Sequence, residues 1–114
     1  MSEPAKRPIA VAVLGPGTVG SQVIRLLGEH ADDLAARVGA PLVISGVLVR
    51  DSSVAREGID AALLTSDAES LVAGADVVVE LMGGIEPARS LILAALAEGK
   101  AVVTANKEIG RAHV

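Results

Sequence analysis

The sequence IAVAVLGPGTVG, residues 9–20, decides the fold. Its first half, Ile9–Leu14, is a short apolar run with β-branched residues at alternate positions, which is typical of a strand buried on both faces of a parallel sheet. The second half fits the pattern G-x-G-x-x-G, and from Thr18 onward apolar residues recur at helical spacing. In such a unit the first glycine makes a tight turn, the second lets the backbone approach a pyrophosphate, and the third lets the helix pack closely on the strand. The stretch therefore predicts a dinucleotide-binding strand, turn and helix, the alternative being a glycine turn that binds nothing.

The rest of the chain continues this alternation of buried strands and helices. Further strands are predicted at Leu42–Val49, Leu63–Thr65, Asp76–Leu81 and Ala101–Thr104. Helices are predicted from Thr18 to a stop at Gly28, over Ala68–Ala73 and over Ala88–Glu98, and Asp32–Val38 either prolongs the first helix or forms a second one. Strands that alternate with helices form right-handed βαβ units and hence a parallel sheet. We expect an α/β protein of Rossmann type, a doubly wound parallel sheet in three layers that is incomplete at its C-terminal end.

Length and composition bound the class of protein. A chain of 114 residues with 51% hydrophobic residues suits one compact domain, because it is too short for two complete domains and too apolar for a disordered chain. It contains no Cys, which excludes a disulfide framework and thiolate metal ligands and fits a reducing cytosol. It also contains no Trp, Tyr or Phe and has a net charge of −4, so neither base stacking nor attraction to a phosphate backbone favours nucleic acid binding.

Neither a membrane segment nor a secretion signal is predicted. A spanning helix needs about 20 apolar residues, whereas the longest stretch without a charge, Pro8–Ile24, is shorter and is interrupted by glycines and a proline. The chain begins with the polar sequence MSEPAKR, and no small-residue cleavage site follows the next apolar run. We therefore expect a soluble, cytoplasmic protein without a membrane partner.

The sequence Val49-Arg50-Asp51 stands where the second strand ends, at the position that meets the adenosine ribose in this type of fold. An acidic residue there binds the ribose hydroxyls of NAD, whereas a nearby arginine accommodates the 2′-phosphate of NADP. Arg50 can hold a phosphate through two hydrogen bonds, helped by Arg56. Asp51 could bind a ribose hydroxyl, repel the 2′-phosphate or cap the loop. The sequence favours NADP over NAD, and the alternative is a solvated loop whose charges pair with one another.

Two further acidic residues lie at the ends of predicted elements. Glu80 is a lone acid in the apolar run of the fourth strand, and it either binds a ribose hydroxyl or accepts backbone N–H bonds from the Gly83-Gly84 turn. Glu86 is placed to cap or charge the N-terminus of the following helix. Neither histidine of the sequence has a partner at metal-ligand spacing, so we expect surface histidines and no metal site.

Two later stretches are more specific than the glycine pattern. ELMGGIEPA, residues 80–88, and TANK, residues 104–107, lie at the carboxyl ends of predicted strands, where open α/β sheets bind ligands. Together with VLGPGTVG and VRD they resemble the N-terminal cofactor domain of homoserine dehydrogenase, from Ile9 to about Gly110. The resemblance implies an oxidoreductase that interconverts aspartate semialdehyde and homoserine by hydride transfer with NADP or NAD, in the pathway to threonine and methionine.

The resemblance also implies roles for individual residues. The implied cofactor-binding residues are Gly15, Gly17, Thr18, Val19, Gly20, Arg50, Gly83, Gly84, Thr104 and Asn106. The first five would hold the pyrophosphate, Arg50 would meet the adenosine ribose or its phosphate, and the others would lie near the nicotinamide ribose. Lys107 matches the family's active-site lysine, and a nicotinamide cation nearby would lower its pKa toward the range useful for general acid and base work. Without that match, Lys107 would read as an exposed lysine in a turn.

The family's second catalytic lysine and an aspartate lie in a downstream substrate domain, beyond this sequence. We therefore expect a single dinucleotide-binding domain over residues 1–114, which would meet the small-molecule substrate only together with the missing domain. The alternative is a non-catalytic NAD(P)-binding module or sensor. Apolar surface that the missing part would cover predicts self-association into a homo-oligomer.

Overall fold

The computed structural model describes residues 7–15, 17–56, 58–82 and 86–104, and these form a sheet with helices on both faces. The strands are β1 (Ile9–Leu14), β2 (Leu42–Leu48), β3 (Leu64–Thr65), β4 (Val77–Glu80) and β5 (Ala101–Thr104). The α-helices are α1 (Thr18–Glu29), α2 (Ala31–Val38), α3 (Ala68–Ala73) and α4 (Ala88–Ala97), and a turn of 3-10 helix, Ala61–Leu63, precedes β3. The predicted alternation of strands and helices is confirmed, with small shifts at the ends of elements.

The strands are all parallel and lie in the order β3-β2-β1-β4-β5. The chain runs outward from the central β1 through β2 to β3, and α3 then leads it back to β4 on the other side of β1. Such a reversal leaves a crevice beside the carboxyl ends of the strands at the point where it occurs, here between β1 and β4. The predicted doubly wound parallel sheet is confirmed.

Each face of the sheet has its own apolar core, because alternate side chains of a strand point to opposite faces. On one face, Ala12 and Leu14 of β1 belong to a buried cluster that includes residues of α3 and α4. On the other face, Val11 and Val13 belong to a second cluster, and Ile24 of α1 packs against it. The protein therefore has three layers, which explains why β1 is apolar throughout.

A bulge interrupts the pairing of β1 with β2. The register shifts between Val11 and Ala12, so that Ser45 is passed over and Gly46 pairs with Ala12. A Cβ atom at Gly46 would lie 2.7 Å from Cδ1 of Leu71, a buried residue of α3. A glycine inside a strand marks a bulge or a close approach of another element, and Gly46 serves both purposes.

The first helix ends later than predicted. Gly28 keeps helical backbone angles, and the last turn of α1 closes at His30, whose N–H donates to the carbonyl oxygen of Leu26 at 3.0 Å. The prediction of a stop at Gly28 is therefore wrong, because a glycine ends a helix when it adopts a left-handed conformation. That conformation occurs instead at Gly39, with φ of +91°, where α2 ends. The stretch 32–38 thus belongs to a separate second helix.

Candidate dinucleotide-binding site

Backbone hydrogen bonds join the segments that leave β1, β2 and β4. Gly15, directly after β1, donates its N–H to the carbonyl oxygen of Leu48 at 3.2 Å. Leu81, directly after β4, donates its N–H to the carbonyl oxygen of Leu14 at 3.0 Å. The three segments therefore start from one edge of the sheet, with the glycine turn in the middle and Arg50 on the β2 side.

Gly15 holds a position that only glycine fits. Its φ is +106°, a conformation that residues with a side chain rarely adopt. The residue is buried, and a Cβ atom on it would lie 3.3 Å from both Cα and Cγ of Met82. Positive φ and the close approach of the β4 segment together explain why the chain turns here on a glycine.

The other two glycines of the motif differ from each other in their surroundings. A Cβ atom on Gly20 would collide with the carbonyl oxygen of Gly15, so α1 lies directly on the turn. Gly17 is exposed, and a Cβ atom on it would meet no atom of the protein within 4 Å. Close packing at Gly20 and open space at Gly17 are what the motif requires of its third and second glycines.

The N-terminus of α1 faces the same space. Gly17 is the capping residue, and the helical ladder begins where Ser21 donates its N–H to the carbonyl oxygen of Gly17 at 2.9 Å. The first turn carries no acidic residue, and no described side chain caps it. The helix therefore presents the positive end of its dipole and three backbone N–H groups to this space, those of Thr18, Val19 and Gly20. Helix termini that bind anions have the same arrangement.

Asp51 is bound within its own loop. Its Oδ1 accepts hydrogen bonds from the Ser53 hydroxyl at 2.5 Å and from the Ser53 N–H at 2.9 Å. The hydroxyl, the N–H and the nearby positive charge of Arg56 hold the pKa of Asp51 below its usual range. Of the alternatives open from sequence, the geometry matches a carboxylate that caps the loop, while Arg50 beside it is exposed.

Arg56 contains a polar atom without a partner. Its Nε is buried and makes no hydrogen bond within the described part of the chain. A buried donor that lacks an acceptor is unfavourable and calls for an explanation. An acceptor on a bound anion would supply one, which matches the helping role that the sequence assigns to Arg56 beside Arg50.

Glu80 lies beneath the carboxyl ends of β4 and β5. Its side chain is fully buried, Oε2 accepts the N–H of Met82 at 2.7 Å, and Oε1 accepts the hydroxyl of Thr104 at 2.6 Å. Both carboxylate oxygens accept hydrogen bonds from the protein. The structure therefore favours the alternative in which Glu80 accepts a backbone N–H bond over the alternative in which it binds a ribose hydroxyl, and the backbone donor is Met82. The sequence does not predict the bond to Thr104, which depends on the pairing of Glu80 with Thr104 across the two strands.

Glu86 caps the helix that follows β4. Its Oε1 accepts the Ser90 N–H at 2.9 Å, and the Ser90 hydroxyl approaches both carboxylate oxygens, at 2.7 and 2.8 Å. The hydroxyl and the N–H of Ser90, with a smaller effect of the Arg89 charge, lower the pKa of Glu86. The predicted capping role of Glu86 is confirmed.

The structure brings Gly15, Gly17, Thr18, Val19, Gly20, Arg50 and Thr104 of the predicted site to one edge of the sheet. The other predicted residues Gly83, Gly84, Asn106 and Lys107 lie outside the described residues. Within the described ranges, His30 is exposed and no group of His, Asp and Glu side chains is arranged to hold a metal ion. No helix in those ranges is long and apolar enough to cross a membrane.

Known proteins share both the sequence and the fold. The homoserine dehydrogenase of Mycobacterium tuberculosis is 55% identical over 106 residues, which cover 91% of this chain and 24% of that protein. The corresponding enzyme of Corynebacterium glutamicum is 50% identical over 115 residues, with 96% and 26% covered. The chain thus spans about a quarter of the length of these curated relatives.

Structural comparison agrees with the sequence comparison. The crystal structure of a homoserine dehydrogenase from Thiobacillus denitrificans matches 92% of this chain and 25% of its own, with a TM-score of 0.82 and 40% identity. The family model described as the NAD-binding domain of homoserine dehydrogenase matches residues 15–112. This chain therefore belongs to the family of homoserine dehydrogenase NAD-binding domains.

Proposed function

We propose that this chain is the cofactor-binding part of an NAD(P)-dependent homoserine dehydrogenase. In that reaction homoserine loses a hydride from its hydroxyl-bearing carbon to the nicotinamide ring and a proton from its hydroxyl, which gives aspartate semialdehyde. The bound dinucleotide supplies the ring that accepts or returns the hydride, and this chain holds the dinucleotide. The observation that carries the proposal is the open space over Gly17, at the N-terminus of α1.

The pyrophosphate of the cofactor would lie over the glycine turn. Gly17 leaves room for a close approach of the backbone, and the N–H groups of Thr18, Val19 and Gly20 offer donors to the phosphate oxygens. Gly15 and Gly20 allow the turn and the helix to adopt this geometry, since neither position accommodates a side chain. The residues present fit a dinucleotide at this end of the helix.

The adenosine end of the site favours NADP over NAD. Arg50 is exposed directly after the strand next to β1, and Arg56 holds a buried donor without an acceptor in the described residues. Asp51, the residue that would bind a ribose hydroxyl in an NAD-specific site, is already bound to Ser53. A 2′-phosphate would provide acceptors for the two guanidinium groups.

The nicotinamide end would be built from the segments that follow β4 and β5. By resemblance to the family, Gly83 and Gly84 pass beside the nicotinamide ribose, with Thr104 and Asn106 nearby. Lys107, directly after them in the sequence, would take the proton from the homoserine hydroxyl and return it to the aldehyde oxygen in the reverse direction. Thr104, at the end of β5, is the described residue of this group.

Titration with NADPH, followed by the fluorescence anisotropy of the nicotinamide, tests the binding part of the proposal. The chain has no Trp, Tyr or Phe, so protein fluorescence does not overlap with the signal. Saturable binding of one dinucleotide per chain is expected. Failure to bind both NADPH and NADH would contradict the proposal.

The catalytic part requires the full-length enzyme that carries this domain. Lys107→Ala should lower homoserine-dependent reduction of NADP far more than it lowers the affinity for NADPH, because the proposed role is proton transfer. An unchanged turnover would remove Lys107 from the reaction. A full-length protein that binds the dinucleotide but does not oxidise homoserine would be a non-catalytic binding module instead.

A further inference from the structure

Glu80 is an acid in the core of the protein. Its side chain has no exposed surface, and it forms no ion pair with any residue in the described ranges. Its strand neighbour on the same face, Val78, is apolar and equally buried. Since burial of a carboxylate away from water and from cations opposes folding, an apolar side chain would suit this position better on packing grounds. The presence of Glu80 therefore needs a reason other than packing.

The hydrogen bonds of Glu80 supply that reason. Glu80 and Thr104 form the last pair of the β4–β5 ladder within the described residues. The carboxylate then adds a bond to the Thr104 hydroxyl, at 2.6 Å, and a bond to the Met82 N–H, at 2.7 Å. One side chain thus restrains two segments of the chain, one at Met82 and the other at Thr104.

Both segments belong to the same half of the site. The strand order places β4 and β5 on one side of β1 and β2 on the other, so Glu80 and Arg50 lie on opposite sides of the glycine turn. Met82 immediately precedes the two glycines of ELMGG, and Thr104 is the first residue of TANK. The carboxylate therefore restrains the starting points of the two segments assigned to the nicotinamide end.

We infer that Glu80 is a positioning residue for the nicotinamide half of the site, acting through its hydrogen bonds to Met82 and Thr104. This inference rests on the proposed function, since it assigns a role within the same dinucleotide site. Glu80 itself touches no ligand, because its side chain is completely covered by protein. Its effect should appear in the binding of the whole dinucleotide and be absent for a ligand that occupies the adenosine half only.

Two conservative substitutions separate geometry from charge. Glu80→Gln removes the charge but keeps the length of the side chain. Its amide oxygen can accept the Met82 N–H, and its amide N–H can donate to the Thr104 hydroxyl, because a hydroxyl accepts as well as donates. Glu80→Asp keeps the charge but is one methylene shorter, so it cannot reach both donors. If Glu80 acts by positioning, the Gln variant should retain most of the affinity for NADPH and the Asp variant should bind NADPH more weakly.

The control variant is Val78→Ala, two residues earlier on the same face of β4. It removes buried apolar volume without touching the hydrogen bonds of Glu80. Thermal unfolding of each variant is followed by far-UV circular dichroism. Affinities are measured for NADPH and for 2′,5′-ADP, the adenosine half of NADP, which would contact the β2 side of the site and the glycine turn but not the nicotinamide end.

The expected result is a loss of affinity for NADPH without a loss of affinity for 2′,5′-ADP. Glu80→Asp should bind NADPH at least about tenfold more weakly than the unmodified chain, with 2′,5′-ADP affinity unchanged. Val78→Ala should lower the melting temperature and leave the ratio of the two affinities as it is. Parallel losses for both ligands in the Asp variant, an Asp variant that binds NADPH normally, or a Gln variant as weak as Asp would overturn the inference.

A second measurement covers an Asp variant that does not fold. Hydrogen exchange of the Met82 amide in Glu80→Gln reports directly on the bond to residue 80. Protection and NADPH affinity retained together would support positioning, whereas loss of protection with unchanged NADPH affinity would contradict it. Absence of binding of both NADPH and NADH by the unmodified chain would refute the proposed function itself, and this outcome is thereby distinguished from failure of the inference about Glu80.

Discussion

Asp76 and Ala10 exchange two hydrogen bonds at the amino edge of the sheet. The Asp76 N–H donates to the carbonyl oxygen of Ala10, and the Ala10 N–H donates to Oδ2 of Asp76, both at 2.8 Å. Arg7 adds an ion pair to Oδ1 at 2.7 Å. The bond from Ala10, followed by the charge and hydrogen bond of Arg7 and the charge of Lys100, lowers the pKa of Asp76. The carboxylate thus joins the starts of β1 and β4 in its charged form.

Asp76→Asn should reduce the stability of the protein in a pH-dependent way. A folded-state pKa below the unfolded one means that the contribution of Asp76 is present above the ordinary aspartate range and is lost as pH falls through the folded-state pKa. The difference in unfolding free energy between the variant and the unmodified chain should therefore be largest at neutral pH and shrink in acid. Urea unfolding monitored by circular dichroism across this pH range measures it.

Arg7→Ala is the matched control for Asp76. The Arg7 side chain is 81% exposed, and exposed ion pairs contribute little to stability. The variant should unfold close to the unmodified chain at every pH. An Asp76→Asn variant with the same pH profile as the unmodified chain would refute the role of the carboxylate.

The contact between Gly20 and Gly15 predicts a large effect of one added methyl group. In Gly20→Ala the Cβ atom would collide with backbone, which cannot rotate away as a side chain can, so we expect a loss of about 3 kcal/mol in unfolding free energy. Gly28→Ala adds the same group to the same helix in open space, and it should stabilise the protein by up to about 1 kcal/mol through helix propensity. Equal stabilities for the two variants would contradict the close packing of α1 on the turn.

The proposed preference for NADP is tested by comparison of two neighbouring residues. Arg50→Ala should weaken NADPH at least about tenfold, because a charge-assisted bond to the 2′-phosphate is lost, and should weaken NADH much less. Asp51→Asn should affect both dinucleotides alike, since the carboxylate is bound to Ser53. The affinities of each variant for NADPH and NADH are measured by the fluorescence anisotropy of the nicotinamide. Equal losses of NADPH and NADH in Arg50→Ala would reject the assignment of Arg50.

Sequence patterns predict the structure correctly where neighbouring residues determine it. The apolar run of β1 and the spacing of Gly15, Gly17 and Gly20 led to the central strand, turn and helix. The sequence predicts the end of α1 too early, because a glycine such as Gly28 allows a helix to stop without requiring it. The backbone instead leaves the helix at His30, a residue without a sequence signal for this role.

Contacts between distant parts of the chain cannot be predicted from the sequence patterns. Glu80 and Thr104 are 24 residues apart, and their hydrogen bond depends on which strands are neighbours and in what register. The same holds for Gly46 and Leu71, where a helix from one crossover lies on a strand from another. The burial of the Arg56 Nε without a hydrogen-bond partner in the described residues is likewise not predicted by any local sequence pattern.

The most direct test of the account is the affinity of the Gly17→Ala variant for NADPH, with Gly28→Ala as its control. Both substitutions place a methyl group in open space, one at the capping residue of α1 and the other within the helix, and loss of a glycine cap at Gly17 costs at most about 1 kcal/mol of stability. Because the pyrophosphate is proposed to approach the backbone at Gly17, that variant should remain folded and bind NADPH at least about tenfold more weakly, while Gly28→Ala binds normally. A folded Gly17→Ala variant that binds NADPH as tightly as the unmodified chain would contradict the proposed site.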